Sequence, residues 1–398
     1  MKNFQTAAVI LGLSETALGI VHSLAPLGIP TIGVSHFREI GLFSKYVDFR
    51  QLPHPMNELE KFKTSLTKLS GSFDQKPVLF IAADEYLQFY IRQSDFIREH
   101  FQVNISSAGI INEINDKARL YDLALKAEVA VPKTLLVTSQ TDLEEAKEKV
   151  SYPVFVKAQN VTLWRIHVSG STKGFVADDE ARLLQIVTDI VAKGVPVLLQ
   201  EIIQSADHEN VKYCVNIDSE GRTIQEFTLR KIHQYPIHFG IASSAESVHS
   251  EELIKLGRKL FSAIDYRGIG SAEFKLDSKS NQLKLVEINT RFWQQNYLST
   301  RCGMNFALGH YLLSTGQAVE EDNQFKRGIK WVNYHLCYQS FLQYKKQGEL
   351  SFRQWRKDIR GPKTISLYNA KDKRPFIIHI QRTILRELVK ILKPSKGK

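Results

Sequence analysis

Cysteine is scarce in this chain: Cys214, Cys302 and Cys337 are the only three in 398 residues. They are far apart and odd in number, which excludes a disulfide framework or a cysteine-ligated zinc site and fits a reducing compartment. Long apolar runs are also missing. No 18 consecutive apolar residues occur, so the sequence offers no transmembrane helix. The short run Thr6–Leu11 could pass for a signal core, but Gly12, Ser14 and Glu15 break it, and it reads as a first buried strand leading into a helix. Internal repeats, low-complexity tracts and nucleic-acid-binding motifs are absent. So is any Ser-His-Asp or Cys-His set for nucleophilic catalysis. The first turn, Gly12 to Gly19, has Ser14 where a GxGxxG fingerprint needs its central glycine. This argues against ordinary dinucleotide binding. It leaves a tight strand-to-helix turn, or a substrate carboxylate or phosphate at the helix N-terminus.

What is present is the composition of a soluble globular protein, with 43% hydrophobic and 24% charged residues, long enough for two or three packed units. The net charge of +11 is unevenly spread. From Lys326 onward 19 Lys and Arg face 4 Asp and Glu, whereas the preceding residues carry 34 against 38. The basic character therefore belongs to the C-terminal region and points to an anionic partner surface there.

Residues 1–112 alternate strand and helix patterns, as a parallel Rossmann-like α/β unit does. Ser14, Glu15, Asp84 and Glu85 fall at its strand ends, where α/β sheets present ligands. In 113–195, Lys117 opens a helix and Tyr152-Pro153-Val154-Phe155-Val156-Lys157 is a short strand ending on a lysine. That lysine is either a solvated strand end or a phosphate-directed point charge. A loop follows with Trp164, Arg165 and His167, then Ser171-Thr172-Lys173-Gly174. It is a candidate mobile flap with amides and a lysine for phosphate. Residues 196–325 bring Gln200, Glu201 and Ile203, then Arg230, His233, Tyr235 and His238, and an acidic hairpin.

The hairpin is the most informative segment. Gly270–Leu276 and Lys284–Arg291 flank a polar turn, and folding about Ser280 sets Glu273 opposite Glu287, with Asn289 on the same face. Facing carboxylates repel across a ladder. A divalent cation would relieve this, and two carboxylates with an amide oxygen suit Mg²⁺ or Mn²⁺. The alternative is a half-exposed hairpin whose acids face water. Arg291 follows as a candidate phosphate clamp.

Taken in order, Lys117, Lys157, the Ser171–Gly174 flap, Gln200-Glu201-Ile202-Ile203, Glu273 and Glu287-Ile288-Asn289-Thr290-Arg291 resemble the ATP-grasp superfamily. Within it, the Trp164-Arg165 loop, the Arg230–Pro236 stretch, Phe239-Gly240 and the Glu287–Trp293 segment are similar to carboxylate–amine ligases of the D-aspartate-ligase type. The resemblance implies an α/β fold: a Rossmann-like pre-ATP-grasp domain, a two-lobed α+β ATP-grasp core and a helical basic C-terminal region, 326–398. It implies that ATP and Mg²⁺ are used, with Lys117 and Lys157 on the α- and β-phosphates and Lys173 over the β/γ-phosphates. Gln200, Glu201 and Ile203 would border the adenine, and Glu273, Glu287 and Asn289 would bind metal. Arg291 and Arg230 would steady the transferred phosphoryl group. The expected reaction joins a small carboxylate and an amine through an acyl phosphate. The flap departs from the commoner glycine-rich form, which puts the role of Lys173 in question. Candidate acceptor-pocket residues are Trp164, Arg165, His167, His233, Tyr235 and His238, each with an ordinary structural alternative. Trp293 reads first as a core residue.

In the C-terminal region Ile377, Ile380, Ile384, Leu388 and Ile391 share one helical face and Arg382, Arg386, Lys390 and Lys393 the other. This is the pattern of a basic interfacial helix, with docking on the body and a dimer helix as alternatives. The expected location is cytoplasmic, with a candidate peripheral attachment to an anionic membrane on its cytoplasmic face. Nothing in the sequence sets an oligomeric state. Two other functions stay open: a non-catalytic ATP-binding membrane adaptor, and an ATP-grasp enzyme with a different acceptor.

Overall fold

The computed structural model describes residues 4–159, 164, 167–168, 174–321 and 324–392. Three sheets organise them. The first is parallel, in the order β3-β2-β1-β4, from β1 (Ala8–Leu11), β2 (Thr31–Ser35), β3 (Val47–Gln51) and β4 (Val78–Ile81). β1 and β4 are apolar throughout and buried along their whole length, as strands of a covered parallel sheet are. Gly12 leaves β1 at φ +86°, and a Cβ there would meet that of Ala83 at 2.8 Å, so the turn into helix Glu15–Leu24 requires glycine. The backbone N–H of Leu13 donates to the Glu39 carboxylate at 2.5 Å, and Ser35 donates to the same oxygen at 2.8 Å. A resident acid thus occupies the turn where a bound phosphate or carboxylate was one alternative.

The second sheet is antiparallel, β5-β8-β6-β7, from β5 (Thr134–Val137), β6 (Val154–Ala158), β7 (Gly174–Ala177) and β8 (Val197–Glu201). Helices Gln140–Lys147 and Glu180–Ala192 supply Leu143, Leu183 and Val187 to its core. β8 had been expected to open the large lobe. It pairs instead with β5 and β6, so the small-lobe sheet runs to Glu201. An apolar run signals a buried strand but not the sheet that strand joins.

The third sheet is ordered β13-β12-β9-β10-β11-β14-β15. Its strands are β9 (Asn210–Ile217), β10 (Thr223–Tyr235), β11 (Ile241–Ser247), β12 (Gly268–Asp277), β13 (Gln282–Asn289), β14 (Lys330–Val332) and β15 (Lys363–Ile365). The C-terminal region is therefore more than helical: β14 and β15 extend this sheet. The largest core cluster joins strands of the first and third sheets through Trp293, Phe306 and Tyr311. Buried Asp372 pins the C-terminal region to the first domain. It lies 3.0 Å from His22 and accepts from Ser44 Oγ at 2.5 Å and the Lys45 N–H at 3.2 Å. Burial alone would raise its pKa, but these partners hold it below the usual carboxylate range.

The last helix, Arg374–Leu392, lies against the Ile40–Phe43 turn. Arg374 and Arg382 both sit over the Phe43 ring. Its apolar stripe points the other way: Ile377, Ile380, Ile384, Leu385, Leu388 and Val389 are exposed, Ile384 at 55% and Leu385 at 62%.

Candidate active site

The β12–β13 ladder pairs Glu273 with Glu287, as the turn spacing predicts. The sequence did not disclose the neighbour on the other side. β12 also pairs with β9, and there Glu273 faces Lys212. The Lys212 ammonium is 2.8 Å from Glu273 Oε1, and Lys231 of β10 is 2.7 Å from Oε2. All three side chains are buried, at 6–9% exposure. Burial by itself would push the Glu273 carboxyl up; the charges and hydrogen bonds of the two lysines outweigh it and hold the group well below the carboxylate range. Burial likewise opposes the charge of Lys212, and Glu273 reverses the effect, raising its pKa. Two lysine ammonium groups thus offset the charge of Glu273, the inner acid of the facing pair.

Glu287 meets a different environment. Lys117 Nζ is 3.6 Å from its Oε2, and Asn289 donates an amide N–H to Oε1 at 3.1 Å. Lys117 is positioned by the start of helix Lys117–Lys126, where Asp116 caps the N–H groups of Ala118 and Arg119 at 3.0 and 3.3 Å. From the small lobe, Lys157 donates to Gln200 Oε1 at 2.8 Å and to the Tyr121 hydroxyl at 3.0 Å. Tyr121 in turn donates to the Val286 carbonyl of β13 at 3.0 Å, joining helix to hairpin. Burial lowers the Lys157 pKa to about 8, with the charge of Glu287 pulling the other way. Glu201, ending β8, pairs with Lys284, which also holds Asp277 at 2.9 Å. Ile203 is buried beside it in sequence.

Arg291 Nε lies 2.5 Å from Asp84, the first residue of helix Asp84–Arg92 after β4. The hairpin therefore meets the carboxyl end of the parallel sheet. There His36, His54 and Glu85, following β2, β3 and β4, bring candidate ligand atoms within 4.8 Å of one another. His36 Nδ1 is 3.4 Å from Glu85, whose pKa is raised by burial against the charge of His36. Neither histidine stood out in the sequence, because nothing local shows that β2 and β3 end beside β4.

Other expected residues lie elsewhere. Arg230 alternates with Lys231 along β10, turns from the Glu273 cluster and binds Glu246 at 2.8 Å. Its neighbour Lys231 faces the Glu273 cluster. His233 is held between Ser244 at 3.0 Å and Asp358 at 3.1 Å, and His238 between Asp207 at 3.4 Å and Glu349 at 3.2 Å. Tyr235 ends β10. Trp293 is core, edge-on to Phe306, and Trp164 is buried beside Phe175. His167 is exposed. Lys173 and Arg165 lie outside the described residues. Ser14 makes no capping hydrogen bond. Glu15 accepts from Gln294 at 2.6 Å and from Asn333 at 3.4 Å, and burial raises its pKa to about 7 despite these donors.

The donor set suits a hard cation unevenly. The Glu287 carboxylate fits one. So does the carbonyl oxygen of Asn289, whose amide N–H is committed to Glu287. Glu273, with an ammonium already on each oxygen, suits one less well. Lysines from both lobes gather near this carboxylate–amide pair, a charge pattern that suits phosphate oxygens.

A family model, the carbamoyl-phosphate synthase L chain ATP-binding domain, matches residues 116–321. The chain belongs to this ATP-grasp family. Among curated relatives, the ATP-grasp chain is 25% identical over 313 residues to urea amidolyase of Saccharomyces cerevisiae, covering 73% of this chain and 16% of the relative. It is 20% identical over 303 residues to D-aspartate ligase of Enterococcus faecium, covering 73% and 70%. The chain thus spans about a sixth of the first relative's length. Among solved structures, the biotin carboxylase domain of Hydrogenobacter thermophilus 2-oxoglutarate carboxylase, in complex with MgADP, ADP and bicarbonate, aligns at TM-score 0.61 and 17% identity. That alignment covers 81% of this chain and 73% of that one, and it shows a shared fold.

Proposed function

We propose that this ATP-grasp chain is an ADP-forming carboxylate–amine ligase. The substrate carboxylate attacks the γ-phosphorus of ATP, the bond to the ADP oxygen breaks, and an acyl phosphate forms. An amine then displaces phosphate and yields an amide. The observation that carries the reading is the convergence of Lys117, Lys157, Glu287 and Asn289 between the small-lobe sheet and the hairpin. Two anions must meet in the first step, so charge neutralisation and alignment supply the catalysis and no protein nucleophile is needed. Lys117 and Lys157 hold the inner phosphates, and Gln200, Glu201 and Ile203 border the base. Magnesium, held by Glu287 and Asn289, supplies further neutralisation when bound. Arg291 steadies the phosphoryl group. The acceptor is met at the edge carrying Asp84, Glu85, His36 and His54. The test is a screen of amino acids and small carboxylates for stimulated release of ADP and phosphate, with Glu287→Gln expected to abolish it. ADP binding without release from any acid–amine pair would favour the non-catalytic adaptor instead.

The finer location rests on the final helix. Among the described residues no helix is long and apolar enough to cross a membrane. An outward apolar stripe on a strongly basic region suits adsorption to an anionic bilayer from the cytoplasmic face. Ile384→Glu/Leu388→Glu in the full chain should abolish co-sedimentation with phosphatidylserine vesicles. Equal pelleting of variant and parent would remove this location, and a concentration-dependent dimer lost in the variant would assign the stripe to a second copy.

A further inference from the structure

We infer that this site binds one divalent cation per nucleotide, at Glu287 and Asn289, and that the Lys212 and Lys231 ammonium groups, fixed by Glu273, take the place of a second. The inference rests on the nucleotide-binding reading above. Its starting point is the row of charges across the third sheet: Glu287 on β13, Glu273 on β12, Lys212 on β9 and Lys231 on β10. Each oxygen of Glu273 already holds an ammonium, at 2.8 and 2.7 Å. A magnesium ligated at its usual distance of about 2.0–2.1 Å from either oxygen would have to take that oxygen's remaining lone pair, beside an ammonium group that repels it. Burial of all three side chains excludes the water and salt that would screen the repulsion.

The cluster also carries what a cation would bring. Two ammonium groups on one carboxylate leave a surplus positive charge in a buried place, beside the Glu287 face to which Lys117 is directed. Glu273 keeps both lysines charged and oriented, so it is a positioning residue and not a metal ligand. Lys212 is decisive, because it is the direct cross-strand partner of Glu273 and closes the oxygen facing β9.

The test counts Mn²⁺ by electron paramagnetic resonance on the full chain saturated with ADP, alongside calorimetry of ADP binding. One Mn²⁺ per bound nucleotide is expected, with Glu287→Gln weakening Mn²⁺ affinity at least about tenfold. Lys212→Met, which frees one oxygen of Glu273, should raise the count from one to two, whereas Lys212→Arg should leave it at one. Two Mn²⁺ per nucleotide in the unaltered chain would overturn the inference while leaving the nucleotide site intact. A folded Lys212→Met protein still binding one would overturn the role given to the lysine. Should that variant not fold, the count in the unaltered chain decides. Absence of ADP binding by the unaltered chain would overturn the nucleotide reading itself, and this inference with it.

Discussion

Two kinds of buried charge stand on either side of the cleft. In the large lobe, Lys212, Lys231 and Glu273 answer one another with full charges. In the small lobe, the hydrogen-bond partners of Lys157 among the described residues are neutral, Gln200 and the Tyr121 hydroxyl. Glu15, at the first domain, is the acidic counterpart, with the amides of Gln294 and Asn333 as its partners among the described residues. The outcomes differ as desolvation requires. Glu273 falls below its normal range and Lys212 rises, while Lys157 drops to about 8 and Glu15 climbs to about 7. A charge with a charged partner is part of the framework. A charge with neutral partners is held in reserve for a ligand, or titrates.

The contrast can be broken first at its strongest point. Glu273→Leu leaves two buried ammonium groups facing each other and should cost on the order of 3–5 kcal/mol, seen as a large fall in melting temperature. Glu15 should show the opposite pH behaviour to an ordinary ion-paired acid. Its folded pKa lies above the unfolded value, so its contribution is present below about pH 4.5 and is lost as pH rises through about 7. The loss reaches up to about 3 kcal/mol. Melting temperature should therefore decline between pH 5 and 8 in the parent, and Glu15→Gln should flatten that decline. Lys157→Met should weaken ADP binding by about 10–100-fold, the scale of one charge-assisted contact, with little change in melting temperature. Affinity for ADP should also fall as pH rises through about 8, where Lys157 loses its proton, and this dependence should vanish in Lys157→Met. Calorimetry at pH 7 and 9 measures it. Arg230→Ala should do least, about twofold or less on ADP affinity, because it pairs with Glu246 on the other face of the sheet and is itself exposed.

Local pattern carried the fold a long way. Alternation and turn spacing were enough to pair Glu273 with Glu287, and the apolar strands of the first domain announced a parallel sheet. What could not be read was adjacency across the chain. Lys212 sits beside Glu273 only because β9 inserts between β12 and β10. Without that order, a cation was the available explanation for two facing acids. Arg230, named from the sequence for the charge cluster, is one residue away from Lys231, which reaches it: in a strand the next residue faces the opposite way, and only the partner strands fix which face is which. The histidines His36 and His54 were invisible for the same reason. The final helix was legible as amphipathic, but its direction was not, since Arg374 and Arg382 find an aromatic partner in Phe43 and turn the apolar side outward.

The two short strands that the C-terminal region adds to the large sheet set a boundary for any shortened form of this protein. Cutting the chain at residue 325 would strip β14 from β11 and uncover a row of unsatisfied amides and carbonyls, an invitation to self-association. The same cut would unfasten Asp372 from His22 and Ser44, releasing the first domain from its strap. A trimmed protein that keeps its solubility should therefore end after Asp372.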